Sequence, residues 1–382
     1  MDMVKLLELM VKYDASDLYL TEDSAPMYRV DGEVRAAGNN ALTPETVKDL
    51  IYSVMNDNQI KEYESQQEVN IALHYKKIGR FRMNCLVQRG ACAAVIRKIN
   101  TDIMSLDELD LPPILKDLSL KKRGLILVVG ATGSGKSTTL AAMIKHRAES
   151  TAGHIITIED PIEFMHEHSK SIVSQREVGI DTASFRVAMK NAFRQAPDVI
   201  LLGEIRDKET MESAITFAES GHLCLATLHA NNAYQAIERV MNFFPPEQHN
   251  QIYMQLSMNL RGTVSQRLVP NLSGGRIAAI EVMADSPRVK DLVHKGEIHE
   301  LKEAIAKSQQ FGMMTFDQSL YNLFREEKVS LEEALKNADS ANNLRLKIKL
   351  DDKGEMTGQK TSYVKQRNRS TTSGATGKLE LL

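Results

Sequence analysis

Cysteine is scarce in this chain: three in 382 residues, Cys85, Cys92 and Cys224, with no Cys-x-x-Cys pair. That argues against a zinc ribbon and against a disulfide scaffold, and it fits a reducing compartment. An excess of one charge is missing too, with 48 basic against 50 acidic residues. No global field therefore draws the chain to nucleic acid or to an anionic membrane surface. No apolar run approaches the ~20 residues that a membrane-spanning helix needs. The opening MDMVKLLELMVKYDASDLYL spreads charges where a secretory signal would have an apolar centre. The expectation is a cytoplasmic protein with no direct membrane insertion and no nucleic-acid partner.

What the chain does have is apolar content, 42 % of residues, enough for more than one core in a chain this long. Residues 1–100 read as a small α+β domain. Its signals are a helix-period start (Val4, Leu6, Leu7, Leu9, Met10), a Met27–Val30/Glu33–Arg35 hairpin turned by Asp31-Gly32, and a helix capped by Thr43 with Pro44 at its first position. Three further strands, around 69–75, 80–87 and 91–99, suggest an antiparallel meander. Residues 101–120, with a Ser105-x-x-Glu108 capping box and Pro112-Pro113, read as an interdomain linker. From 121 the pattern changes to short, wholly apolar runs, GLILVVG, HIITIED, DVILLGEI and HLCLATLHA, separated by helical stretches. Such runs are strands buried on both faces of a mainly parallel sheet. Beyond Pro245 the reading is mostly helical, through the Ile252, Leu256, Leu260 spacing, with Met254 and Met258 taken as core; 351–382 reads as a disordered tail.

Gly130-Ala-Thr-Gly-Ser-Gly-Lys136-Ser137-Thr138 satisfies G-x-x-x-x-G-K-[ST] between an apolar strand and a helix-prone run, the context a phosphate-binding loop demands. Gly130, Thr132, Gly133, Ser134, Gly135 and Thr138 would turn backbone N–H groups onto phosphates at a helix N-terminus. Lys136 would reach the outer phosphates and Ser137 would ligate Mg2+. An NTPase also needs acids at neighbouring strand ends. DVILLGEIRD supplies Glu204 just past a strand, suited to a water-mediated Mg2+ contact, and IITIEDPIE supplies Glu159, Asp160 and Glu163. In a parallel sheet all of these fall at one edge.

The stretch GHLCLATLHANN raises a metal site as an option, but His222 and Cys224 share a strand face while His229 lies an odd seven positions from His222. Cys224 reads as a buried small hydrophobe. His229, at the strand's C-terminal end, falls where a γ-phosphate would lie; His222 reads as a brace or an interface residue.

GATGSGKSTTLAAMI, TIEDPIEF, DVILLGEIRDKET and GHLCLATLHANN, in this order, resemble the Walker A, Asp box, Walker B and His box of the secretion-superfamily ATPases. Among these the chain is similar to the type IV pilus twitching-motility branch, the PilT/PilU family, from about Lys5 to Leu350. TLHANNA and NADSANNLRLKIKL place it nearer the PilU side. The resemblance implies an α/β protein: a RecA-like P-loop ATPase domain preceded by a smaller α+β PAS-like domain. It implies ATP and Mg2+ as ligands, a homohexamer, and a peripheral place at the inner-membrane base of the pilus machine. The implied partners are a PilT-type paralogue and an inner-membrane platform protein. By motif, Glu163 activates water, Glu204 organises the metal, and Glu159 and Arg206 join the catalytic set. His222 and His229 sense the γ-phosphate, and Arg80, Arg82 and Arg97 match arginines that reach a neighbour's nucleotide. From the residues alone, exposed strand arginines such as these are more often solubilising charges. Ser286-Pro-Arg-Val-Lys-Asp-Leu292 stands where PilT proteins carry Ala-Ile-Arg-Asn-Leu, which implies assistance to a PilT-type protein instead of autonomous retraction.

Overall fold

The computed structural model describes residues 2–99 and 101–355. Those up to 99 form one compact unit and those from 101 onward another.

The first unit comprises α1 (Met3–Lys12), β1 (Asp17–Leu20), β2 (Met27–Val30), β3 (Glu33–Ala36), α2 (Pro44–Tyr52), α3 (Asp57–Gln66), β4 (Glu68–Tyr75), β5 (Gly79–Gln88) and β6 (Ala91–Ile99). Its strand order is β3-β2-β1-β6-β5-β4. β4, β5 and β6 form the antiparallel meander that the sequence suggests, and β6 returns to pair with β1, joining it to the β1–β3 run. Asp31 and Gly32 both take positive φ, 51° and 83°, which a tight hairpin turn requires. Thr43 caps α2 through the Thr46 amide at 3.2 Å. One face of the sheet buries Leu18, Ile71, Phe81, Met83 and Ile96 against Leu7 and Met10 of α1 and Ile51 of α2. Each such side chain taken out of water contributes about 1.5–3 kcal/mol.

The second unit begins with α4 (Ile114–Ser119), β7 (Gly124–Val129), α5 (Lys136–Ser150), β8 (Gly153–Glu159), β9 (Ser171–Glu177), α6 (Phe185–Ala192), β10 (Val199–Leu202), α7 (Lys208–Glu219), β11 (Leu223–Leu228) and α8 (Ala233–Met241). It continues through α9 (His249–Asn259), β12 (Leu260–Pro270), β13 (Arg276–Ala284), α10 (Pro287–Lys295), α11 (Leu301–Ala306), α12 (Phe316–Arg325), α13 (Leu331–Asn337) and α14 (Ala341–Glu355). The sheet order is β13-β12-β7-β11-β10-β8-β9. Every neighbouring pair is parallel except β12 with β13. All residues of β7, β10 and β11 are buried, Cys224 among them, as strands covered by helices on both faces must be.

Four expectations change. Residues 101–120 are not a free linker: Leu106, Leu111, Leu115 and Leu118 pack with Ile126 and Val128 in the second unit's core. The capping box forms, with Ser105 Oγ donating to Glu108 at 2.8 Å, but it closes a turn. Met254 and Met258 are exposed, 42 % and 53 %, because Ile252 and Leu256 hold the buried side of α9. Residues 260–284, expected to be helical, are the β12–β13 hairpin. The helix α14 runs to Glu355, into the segment read as a disordered tail, and Tyr321 Oη donates to Asp351 at its start. The remainder of that tail, 356–382, lies outside the described residues.

Candidate nucleotide site

Because the strands are parallel, β7, β8, β10 and β11 release their next residues at one edge of the sheet. A cavity of about 580 Å³ opens there, lined by Thr132, Gly133, Gly135, Lys136, Ser137 and Thr138 with Glu159, Glu163, Glu204, Arg206 and His229. Two positions in the loop after β7 call for glycine. Gly135 sits at φ 88°, and a Cβ there would stand 2.7 Å from Gln266 Nε2; a Cβ on Gly130 would stand 2.4 Å from Ser134 Oγ. Helix α5 starts at Lys136 without a side-chain cap, so its first N–H groups face the cavity as an anion site. Lys136 Nζ donates to the carbonyls of Gly130 and Ala131, both at 2.9 Å. Burial holds its ammonium below the usual lysine value, and Glu204 and Glu163 pull it back up.

The acids divide by environment. Glu204 accepts from Arg206 Nε at 2.6 Å on Oε2 and lies 2.7 Å from His229 Nε2 on Oε1. Arg206 also reaches Asp160 at 3.3 Å, so the ends of β8, β10 and β11 are joined in one network of polar contacts. The hydrogen bond from Arg206 to Glu204 raises the guanidinium's already high value. Glu159 is pushed up to about 7 by desolvation, against bonds from Thr157 Oγ1 and Gln175 Nε2 and with help from the charges of Glu163 and Glu177. Glu163 is exposed at the cavity wall. The cavity thus holds a carboxylate bonded by Arg206 and His229 and a second carboxyl whose value is raised to about 7, an arrangement able to orient water and move a proton.

Not every expected residue is there. His222 precedes β11 while His229 follows it. The His222 ring packs edge-on to Phe217 and Phe193, with Nδ1 3.2 Å from the Phe217 carbonyl, so within this chain it braces the far end of the strand. Arg80, Arg82 and Arg97 belong to the first unit, where Arg97 Nε donates to Asp17 at 2.8 Å. Other residues were missed from the sequence. Thr139 donates to Gln266 Oε1 at 2.7 Å beneath the loop, and Leu268, Arg276 and Phe185 line the cavity. A signal for Leu268 and Arg276 existed, the Ser-Gly-Gly turn between two β-prone runs, but it lay in a stretch read as helix.

A glycine cradle between a buried strand and an uncapped helix, facing acids and a histidine from the neighbouring strand ends, defines a P-loop ATPase on a RecA-like sheet. A profile of the family described as Type II/IV secretion system protein matches residues 2–275. The type IV pilus ATPase PilU of Pseudomonas aeruginosa is 52 % identical over 351 residues, 92 % of each chain. The type IV pilus retraction ATPase PilT of the same organism is 41 % identical, over 90 % of this chain and 100 % of that one. A crystal structure of the pilus retraction motor PilT with bound ADP matches at a TM-score of 0.85 and 38 % identity, covering 91 % of this chain and 99 % of that one. The chain belongs to the type II/IV secretion system ATPases, on the branch that holds PilT and PilU.

Proposed function

We propose that the chain is a PilU-like motor ATPase of a type IV pilus machine, hydrolysing ATP with Mg2+ to power or assist pilus retraction. It acts as a homohexamer in the cytoplasm at the pilus base, with a PilT-type paralogue and an inner-membrane platform protein. Its first unit is the PAS-like domain of that ring. The observation that carries the reading is a single cavity in which the P-loop meets Glu163, Glu204, Arg206 and His229. Loop amides and the start of α5 bind the phosphates, and Lys136 adds a positive charge. Ser137 Oγ and Glu204, the latter through water, are oxygen donors of the kind Mg2+ takes. Each Glu204 oxygen keeps a lone pair beyond its bond to Arg206 or His229. Bound Mg2+ neutralises charge on the phosphate oxygens. Glu163 accepts the proton of the attacking water, Glu159 backs it, and His229 links Glu204 to the γ-phosphate.

The PilT dependence rests on Ser286–Leu292, the departure from the retraction motif, which here caps and opens α10. The test is Mg2+-dependent ATPase activity of the purified chain, alone and with its paralogue, and pilus retraction by Lys136→Ala and Glu204→Ala cells with and without active PilT-type protein. Activity should fall at least a hundredfold in both variants. Undiminished retraction in both backgrounds would reduce the chain to a nucleotide-binding scaffold.

A further inference from the structure

A carboxylate outside the cavity is tied to the residues that build it. Glu281 of β13 is 2 % exposed, and its Oε1 accepts from the backbone N–H of Ala233 at 2.8 Å and from Ser265 Oγ at 3.2 Å. Both donors are neutral. A charged group buried on such terms is costly unless what it holds is needed, and an apolar side chain would fill the place more cheaply.

The sheet register says what it holds. Glu281 pairs with Ser265, Ser265 with Val129, and Val129 with Leu228, one row across β13, β12, β7 and β11. Val129 is the last residue before the P-loop, and Leu228 is the last before His229. Ala233 opens α8, whose cap, Asn232, accepts from the Gln235 amide at 2.9 Å. The chain between Leu228 and Ala233 is thus fixed at one end by strand pairing and at the other by Glu281. His229 lies within it, 2.7 Å from Glu204.

We propose that Glu281 is a positioning residue: its carboxylate fixes the first turn of α8 on the sheet and thereby holds His229 against Glu204. The proposal rests on the ATPase reading of the cavity. A carboxylate suits the task because it accepts from two donors at once and favours the positive end of α8.

The test compares Glu281→Ala, Glu281→Gln, His229→Ala and the Glu281→Ala/His229→Ala pair in the full chain. ATPase kcat and KM, affinity for a fluorescent ADP analogue, and amide exchange over residues 229–241 are measured. Glu281→Ala should lower kcat about ten- to a hundredfold with KM changed less than about threefold, as displacement of a positioned group does. Exchange at the start of α8 should quicken. Glu281→Gln keeps an oxygen acceptor in place and should stay within about threefold of wild type, and it remains informative if the alanine variant does not fold. In the double variant the two losses should not multiply, because both act through one contact. Multiplying losses, wild-type kcat in Glu281→Ala, or a glutamine variant slowed about tenfold or more overturns the proposal. Wild-type kcat in His229→Ala would instead sink the ATPase role given to His229, which separates the two failures.

Discussion

Glu204 has a partner on each oxygen, Arg206 from its own loop and His229 from the loop after β11, which ties the ends of β10 and β11 together. Glu204→Gln keeps the shape and removes the charge. It should cut turnover about a hundredfold or more while ADP affinity changes little, since the loop and Lys136 are untouched; isothermal titration beside an ATPase assay separates the two. Gly135→Ala should do the reverse. With φ at 88°, a conformation that residues with a Cβ rarely adopt, and with Gln266 Nε2 2.7 Å from the new Cβ and forced aside, the loop is strained by about 1–3 kcal/mol and nucleotide affinity falls with it, read by the same titration. A pH dependence follows from Glu281. Desolvation, opposed by the Ala233 amide, Ser265 and Lys302 and reinforced by Asp339, raises its carboxyl from 4.5 to about 7. Between those values the folded chain keeps a proton that the unfolded chain has released, so stability falls as pH rises through the window and is level above it. Glu281→Gln, neutral throughout, should lose that slope. Relative to wild type it should gain up to roughly 3 kcal/mol in the second unit between pH 5 and pH 8, measured by urea unfolding.

Elements divide by whether their signal is local. The P-loop, the strand-end acids and His229 were legible because each is a short contiguous pattern whose chemistry depends on its immediate flanks. The β12–β13 pair was not. Leu260 continues the Ile252–Leu256 spacing by four, so helical periodicity runs unbroken across the real boundary. Strand alternation is then erased because β12 is buried on both faces for most of its length. Met254 lies about 200° round the helix from Ile252, at 100° per residue, so spacing four from Met258 made a stripe but could not say which side it faced. The Pro112-Pro113 break looked like a linker for a related reason: only three-dimensional packing shows that Leu106 and Leu118 sit in the second unit's core. The cost of missing one hairpin was specific, since it carries Gln266, Leu268 and Arg276. Gln266→Ala removes the acceptor of the buried Thr139 hydroxyl and the contact under Gly135, and should destabilise the unit by about 1–3 kcal/mol and weaken ADP binding. A Thr139→Val/Gln266→Leu pair, which removes both partners, should recover the stability but not the affinity, as thermal unfolding with and without ADP would show.

At the scale of the whole molecule, every residue that lines the cavity comes from the second unit, whereas the three arginines matched to a nucleotide role lie in the first. If the chain works as the proposed ring and those arginines complete a neighbour's site, a site is the property of two chains. Residues 101–355 alone should therefore bind ADP close to full-length affinity yet turn over ATP slowly. Mixing separates sharing from a local role. Arg82→Ala subunits keep the P-loop and lack the arginine, and Lys136→Ala subunits are the converse, so each alone should be inactive. With random assembly, roughly a quarter of the interfaces in an equal mixture join an intact P-loop to a neighbour's intact arginine, and activity should recover to about that fraction of wild type. An arginine serving its own chain would leave the mixture inactive, because no subunit holds both groups. Arg97 donates to Asp17, and its alanine variant should lose stability in the first unit in addition to any effect on the mixture, as thermal unfolding would show.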